Sequence, residues 1–150
     1  MDFGRHPRQN RPTPPGLGGR HFAHITNSGG VIAVLNEGTD VTFSSFQNIG
    51  EEIMINETND RLTVEHPGNY LIMYSVNTTT ETTLSTRLLV NRRPVDATTI
   101  TPVISRTQYN NQIILPLEPG DTISFQLFGI VGSATLTTGA GATLTIFKIH

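Results

Sequence analysis

The sequence predicts an all-β domain, a sandwich or barrel of about ten short strands. Three observations indicate this class. Thr, Ile and Val, whose branched side chains favour strands, make up 45 of the 150 residues. From Phe22 onward, short apolar or alternating runs are separated by turn residues at roughly ten- to twelve-residue spacing. No segment of about ten or more residues carries the apolar period of an amphipathic helix, so no helix is expected.

Each predicted strand ends where Gly, Asn, Asp or Pro supplies turn chemistry. The run Asn27-Ser28-Gly29-Gly30 closes the first strand, and Glu118-Pro119-Gly120-Asp121 joins two apolar runs as a hairpin. In order, strands are predicted at residues 22–26, 31–35, 41–43, 53–56, 61–65, 70–76, 84–90, 98–105, 112–117, 122–128 and 142–149.

Two of these strands are apolar on both faces. Residues 70–74 are all large and apolar or aromatic, and the last strand places Leu144 and Ile146 on one face with Phe147 and Ile149 on the other. The outer face of a sandwich normally meets water, so a strand of this kind needs cover from loops or from another subunit. The pattern therefore favours an oligomer.

Residues 1–20 differ in composition from the rest of the chain, which is predicted to fold as one domain over residues 21–150. They carry four arginines against one aspartate, together with four prolines and four glycines, and are expected to be a disordered tail. The other 130 residues carry six basic against eleven acidic side chains. Dispersed arginines without aromatic neighbours are typical of a soluble leader, so nucleic acid is not expected as a partner.

Membrane insertion is not expected either. No apolar stretch approaches the roughly 18 residues that span a bilayer. The first residues, MDFGRHPRQN, lack the apolar core of a Sec signal peptide.

The residue types that carry catalysis are not arranged for it. The chain has no Cys, which excludes disulfides and thiolate chemistry. His21 and His24 are three apart on a strand and should face opposite ways, so neither a metal site within one subunit nor a cofactor is expected, although three copies of one His around a threefold axis remain an alternative. Asp121 fits hairpin chemistry better than catalysis. We therefore predict that the protein is not an enzyme.

Three segments in order carry a family resemblance: FAHITNSGG at 22–30, HPGNYLIMYSV at 66–76 and IILPLEPGDTISFQL at 113–127, followed by the apolar strand at 142–149. Together they resemble the jelly roll shared by tumour necrosis factor and the complement globular heads. Three further runs are NSGGVIAVLNEGTDVTFSSFQNIGEEI at 27–53, PGNYLIMYSVN at 67–77 and RLLVNRRPV at 87–95. They give a nearer resemblance, over residues 22–150, to the C-terminal domain of the collagen-like exosporium glycoprotein of Bacillus spores (BclA). This chain lacks the collagen repeat.

The resemblance implies a ten-strand jelly roll that assembles as a homotrimer and has no catalytic activity. We predict a structural role in a bacterial, spore-surface (exosporium) layer, with residues 1–20 available to bind another surface-layer protein. A trimeric head that binds a carbohydrate or protein surface is the alternative. Family members place aromatic residues near the threefold axis, which here predicts Tyr74 and Phe147 at the trimer interface.

Overall fold

The computed structural model describes residues 20–150, which fold into strands without any helix. No helix long and apolar enough to cross a membrane occurs in this part of the chain. The strands are β1 (Phe22–Asn27), β2 (Gly30–Val34), β3 (Thr39–Asp40), β4 (Phe46–Ile49), β5 (Ile53–Ile55), β6 (Leu62–Val64), β7 (Gly68–Thr82), β8 (Ser85–Val90), β9 (Arg93–Ile100), β10 (Arg106–Leu117), β11 (Thr122–Phe128), β12 (Gly132–Leu136) and β13 (Ala142–Lys148).

The strands form two antiparallel sheets. The first has seven strands in the order β2-β12-β7-β13-β1-β4, and β10 pairs with β7 as well. The second has six strands in the order β5-β6-β11-β8-β9, with β3 added beside β11. The fifteen-residue strand β7 is the central strand of the first sheet, because it pairs with β13, β10 and the end of β12.

The all-β prediction is confirmed, but the expected count of about ten strands is wrong, because residues 20–150 alone contain thirteen. The strands β4 and β12 escaped prediction because they consist largely of exposed or small polar residues. Val41 and Phe43 are fully buried, as their alternation suggested, yet the ladder at this point covers only Thr39–Asp40. The backbone amide of Val41 instead donates to the carbonyl of Phe125 at 2.8 Å.

The ninth strand begins earlier than expected. Its predicted range was 98–105, whereas β9 spans Arg93–Ile100. The reason is a two-residue turn, in which Asn91 and Arg92 adopt left-handed φ values of 54° and 66° and allow Arg93 to pair with Val90. The residues from 101 to 105 form an exposed loop instead.

The core lies between the two sheets and is built from the inward side chains of both. The first sheet contributes Tyr70, Ile72, Tyr74, Val76, Leu144 and Ile146, and the second contributes Leu62, Leu88, Ile123, Phe125 and Leu127. At its centre the ring of Phe125 stacks on Tyr74 with centroids 4.4 Å apart and lies 6.4 Å from Phe43. Aromatic stacking therefore joins the sheets across the sandwich.

One end of the sandwich, which we call the base, is where residue 20 and the C-terminus lie. The amide of Glu52 donates to the carbonyl of Arg20, that of Lys148 to His21, and that of Asn69 to His150, each at 2.9 Å. Strand β7 starts at the base and ends at Thr82 at the opposite end, the apex. These bonds tie residues 20 and 21 to the folded domain. The rest of the predicted tail, residues 1–19, lies outside the described residues.

Candidate assembly face on the seven-strand sheet

The outer face of the first sheet carries a continuous apolar row across four strands. Phe22 pairs with Phe147, Phe147 with Leu71, and Leu71 with Ile114, so the four side chains stand side by side. Their chain neighbours, such as Ala23 and Ile146, point into the core. Phe147 is 37% exposed and Ile114 is 56% exposed. We call these four residues the apolar row.

The next two rows on the same face consist of polar side chains, except for Met73. His24, Thr145, Met73 and Gln112 form one row, and Thr26, Thr143, Ser75 and Asn110 form the next. The hydroxyls of Ser75 and Thr143 lie 2.8 Å apart, and Nδ1 of His24 lies 2.6 Å from Oγ1 of Thr145. Between β10, β7 and β13 these rows line a shallow groove of about 580 Å³.

None of the three rows contains an Asp, Glu, Lys or Arg side chain. An ionised group in the middle of a subunit contact would have to lose its hydration, which is costly without a partner. A face that is apolar along one edge and carries neutral hydrogen-bonding groups beside it is therefore suited to being covered by protein.

Phe147 and Tyr74, the two residues predicted at the trimer interface, lie on opposite faces of the sheet. Phe147 belongs to the apolar row, whereas Tyr74 is 2% exposed and points between the sheets. The hydroxyl of Tyr74 donates to the carbonyl of Thr98 at 2.6 Å and lies 2.9 Å from Oγ1 of Thr86. Burial raises the pKa of this hydroxyl above 10, so it remains a proton donor.

Tyr74 also closes a gap in the second sheet. The register between β8 and β9 shifts between Thr86 and Leu88. There the amide of Leu88 donates to the side-chain oxygen of Thr98 at 2.9 Å. By holding Thr98 and Thr86 from the other sheet, Tyr74 fixes this irregular point of the ladder. The side chains of β7 on the outer face are Leu71 and Met73 instead.

The residues that the sequence offered as candidates for metal binding or catalysis have contacts that stabilise the fold. Within residues 20–150 there is no group of three or more His, Cys, Asp or Glu side chains arranged to hold a metal. Oδ2 of Asp121 accepts the backbone amide of Glu118 at 2.8 Å, and its Oδ1 accepts the side-chain amide of Asn91 at 2.9 Å. Asp121 therefore caps the β10–β11 hairpin, as its sequence context indicated.

Comparison with protein families gives one match. A model of the BclA C-terminal domain matches residues 22–150, nearly the whole of the described chain. The chain belongs to the BclA C-terminal domain family. This confirms the resemblance seen in the sequence. A comparison with curated proteins found no relative.

Solved structures similar to this BclA-type domain include a complement globular domain and a TNF protein. The globular domain of zebrafish complement 1qA matches with a TM-score of 0.60 and 16% identity, covering 87% of this chain and 98% of that one. Murine APRIL matches with a TM-score of 0.61 and 15% identity, covering 85% of this chain and 98% of that one. Eiger TNF from S. frugiperda matches with a TM-score of 0.63 and 13% identity, covering 87% of this chain and 92% of that one. The expected jelly roll related to tumour necrosis factor and the complement heads is confirmed.

Sequence reasoning missed three of the four residues in the apolar row of the BclA-type domain. Both faces of residues 70–74 are apolar, so these residues alone do not tell which parity faces outward. The residues further along the strand indicate the outer face. Ser75 and Asn77 lie on the same face of the strand as Leu71 and Met73, and they are polar.

Proposed function

We propose that this BclA-type domain is a structural head that assembles as a homotrimer in a bacterial surface layer. The observation that carries the proposal is the apolar row Phe22, Phe147, Leu71 and Ile114, which two neighbouring polar rows border on a face without fixed charge. Family membership supports a role of the same kind as the BclA C-terminal domain. Burial of this face against a second copy removes aromatic and aliphatic surface from water, which stabilises association.

The finer assignment is to the spore exosporium, with the N-terminal residues as the link to another surface-layer protein. The support comes from the family and from the basic composition of residues 1–20 beside a more acidic domain. In this arrangement the base, where residue 20 meets the sandwich, faces the layer. The apex then faces outward.

The test is localisation of three fluorescent fusions in a spore-forming host: the whole chain, residues 1–20, and residues 21–150. The proposal expects the whole chain and residues 1–20 to reach the spore surface, while residues 21–150 alone do not. If residues 21–150 localise as well as the whole chain, the localisation signal lies in the jelly roll, which contradicts the proposed role of residues 1–20. Absence of the whole chain from purified spores would contradict the exosporium assignment.

A second candidate function is a trimeric head that binds a carbohydrate. The groove lined by Met73, Ser75, Gln112 and Thr145 favours it, because neutral amides and hydroxyls suit the hydroxyl groups of sugars. This candidate requires a subunit contact confined to the apolar row, which leaves the groove open on each subunit, so that three sites on one trimer gain avidity. A glycan array with the purified trimer tests this, with Gln112→Ala as the groove variant. Binding that is lost in Gln112→Ala supports the groove, and an array without binding contradicts it.

A further inference from the structure

The base of the sandwich gathers titratable side chains from four separate segments. Arg20 and His21 precede β1, Glu52 lies in the turn before β5, His66 lies between β6 and β7, and Lys148 ends β13. We call these five residues the base cluster. None of them belongs to the apolar row.

His66 and Glu52 form the fixed half of the cluster. Nε2 of His66 lies 2.8 Å from Oε1 of Glu52 and, because an ionised carboxylate can only accept, this nitrogen carries the proton. The hydroxyl of Tyr70 donates to the carbonyl of His66 at 2.8 Å and holds it from β7. Arg20 adds a cation, with Nη1 at 3.9 Å from Glu52 and 3.0 Å from Glu51.

His21 is the sensitive half of the cluster. Its ring meets His66 edge-on, with centroids 4.9 Å apart. Its Nδ1 is buried and has no hydrogen-bond partner among residues 20–150. Protonation of His21 would place an N–H at this unpartnered position and a positive charge close to Lys148 and Arg20, with Glu52 as the only opposing charge in the cluster.

We propose that the base cluster is an acid-sensitive latch, which holds Arg20 and His21 against the sandwich at neutral pH and releases them when His21 is protonated. Two backbone hydrogen bonds define the closed latch, from Glu52 N–H to the Arg20 carbonyl and from Lys148 N–H to the His21 carbonyl. The latch is a property of one subunit. It does not depend on the proposed trimer.

The direction of the pH dependence follows from two pKa shifts. Burial, then Lys148 and His66, lower the pKa of His21 below 6.5. The detached segment therefore binds the proton more strongly, so the closed state is fully stable above pH 6.5 and loses stability as the pH falls from there towards the lowered pKa. The hydrogen bond from His66 lowers the pKa of Glu52 below 4.5, so its contribution is lost only below pH 4.5. Loss of the Glu52 contribution therefore does not explain opening above pH 4.5.

The experiment measures amide hydrogen exchange by NMR on the full chain, from about pH 7.5 to about pH 5.5, as protection factors corrected for the intrinsic rates. The Glu52 and Lys148 amides report the latch. The Gly120 amide, which donates to the carbonyl of Val64 at 2.8 Å, is the internal control at the same end of the sandwich. We expect the protection of the two latch amides to fall by up to about tenfold per pH unit, as one bound proton allows, while Gly120 stays constant.

Two variants identify the titrating group. His21→Phe keeps an aromatic ring against His66 but cannot be protonated, so the protection of both latch amides should no longer depend on pH. His24→Gln removes the histidine of β1 that lies on the outer face, and the pH dependence should persist. The proposal is overturned if wild-type latch amides keep their protection down to about pH 5.5, or if His21→Phe retains the pH dependence. Should His21→Phe fold poorly, His21→Gln serves the same purpose.

Discussion

Replacing Tyr74 by Phe removes one hydroxyl and leaves the ring stacked on Phe125. In the folded protein this hydroxyl satisfies the carbonyl of Thr98 and contacts the hydroxyl of Thr86, and both threonines are fully buried. Once it is gone, two buried polar atoms lose a partner that water cannot replace. Leaving a buried group unsatisfied costs about 1–3 kcal/mol, so we expect the free energy of unfolding to fall by about 2 kcal/mol.

A loss of this size lowers the melting temperature by roughly 6–10 °C for a domain of this length. The assay is thermal and urea unfolding followed by circular dichroism at one fixed protein concentration, because association shifts apparent stability. Tyr70→Phe is the matched control. The hydroxyl of Tyr70 donates to the carbonyl of His66, an exposed residue where water can take its place, so the loss should be smaller.

A double-mutant cycle makes the test specific. If the Tyr74 and Thr86 hydroxyls interact directly, Thr86→Val combined with Tyr74→Phe should cost less than the two single changes added together. Tyr74→Phe should keep the oligomeric state of the wild type in solution, because the side chain points away from the apolar row. Unchanged stability in Tyr74→Phe, or loss of the oligomer without loss of stability, would refute the assignment of Tyr74 to the interior.

Three further substitutions test other parts of the structure. Phe147→Asp places carboxylates in the proposed contact and should weaken association by several kcal/mol, which light scattering would show as a smaller mass. Val103→Asp is the control, because Val103 lies in the apex loop and is 96% exposed, and it should leave the mass unchanged. Gly141→Ala should lower the unfolding free energy by about 1–3 kcal/mol, because its Cβ would lie 2.5 Å from a backbone oxygen, while Gly132→Ala meets only a side-chain atom at 4.0 Å and should change little; equal effects would contradict the packing. Arg92→Ala should be less stable than Arg92→Gly by about 1 kcal/mol in urea unfolding, because only Gly relieves the left-handed backbone, and the reverse order would contradict the turn geometry.

The elements that the sequence predicts well are those in which one local rule acts alone. The β10–β11 hairpin follows from Pro119-Gly120-Asp121 between apolar runs, and the amide of Asp121 donates to the carbonyl of Glu118 as such a turn requires. The strand β4 has no comparable signal. Its Phe46 is 55% exposed and its other residues include Gln47 and Asn48, so it is a strand only because β1 offers an edge to pair with.

The candidate sites depend on parity and on contacts across the chain, which sequence patterns describe poorly. The family resemblance predicts Phe147 at the trimer interface, and in the structure Phe147 lies in the apolar row on the outer face. Residues 70–74 of β7 are apolar on both faces, so their pattern does not tell that Tyr74 faces the core, where it packs on Phe125. The base cluster joins His21, Glu52 and His66 from distant segments, and no spacing in the sequence indicates that they meet.

The most direct test of the proposed assembly is the solution mass of the full chain by light scattering coupled to size exclusion, across micromolar concentrations. The proposal predicts a single species near three times 16.4 kDa, held by contacts that bury on the order of 1,000 Å² or more per subunit. Phe147→Asp in the same experiment should shift the mass towards that of one chain. A wild-type mass of 16.4 kDa at every concentration would contradict the trimer and leave the apolar row without its proposed partner.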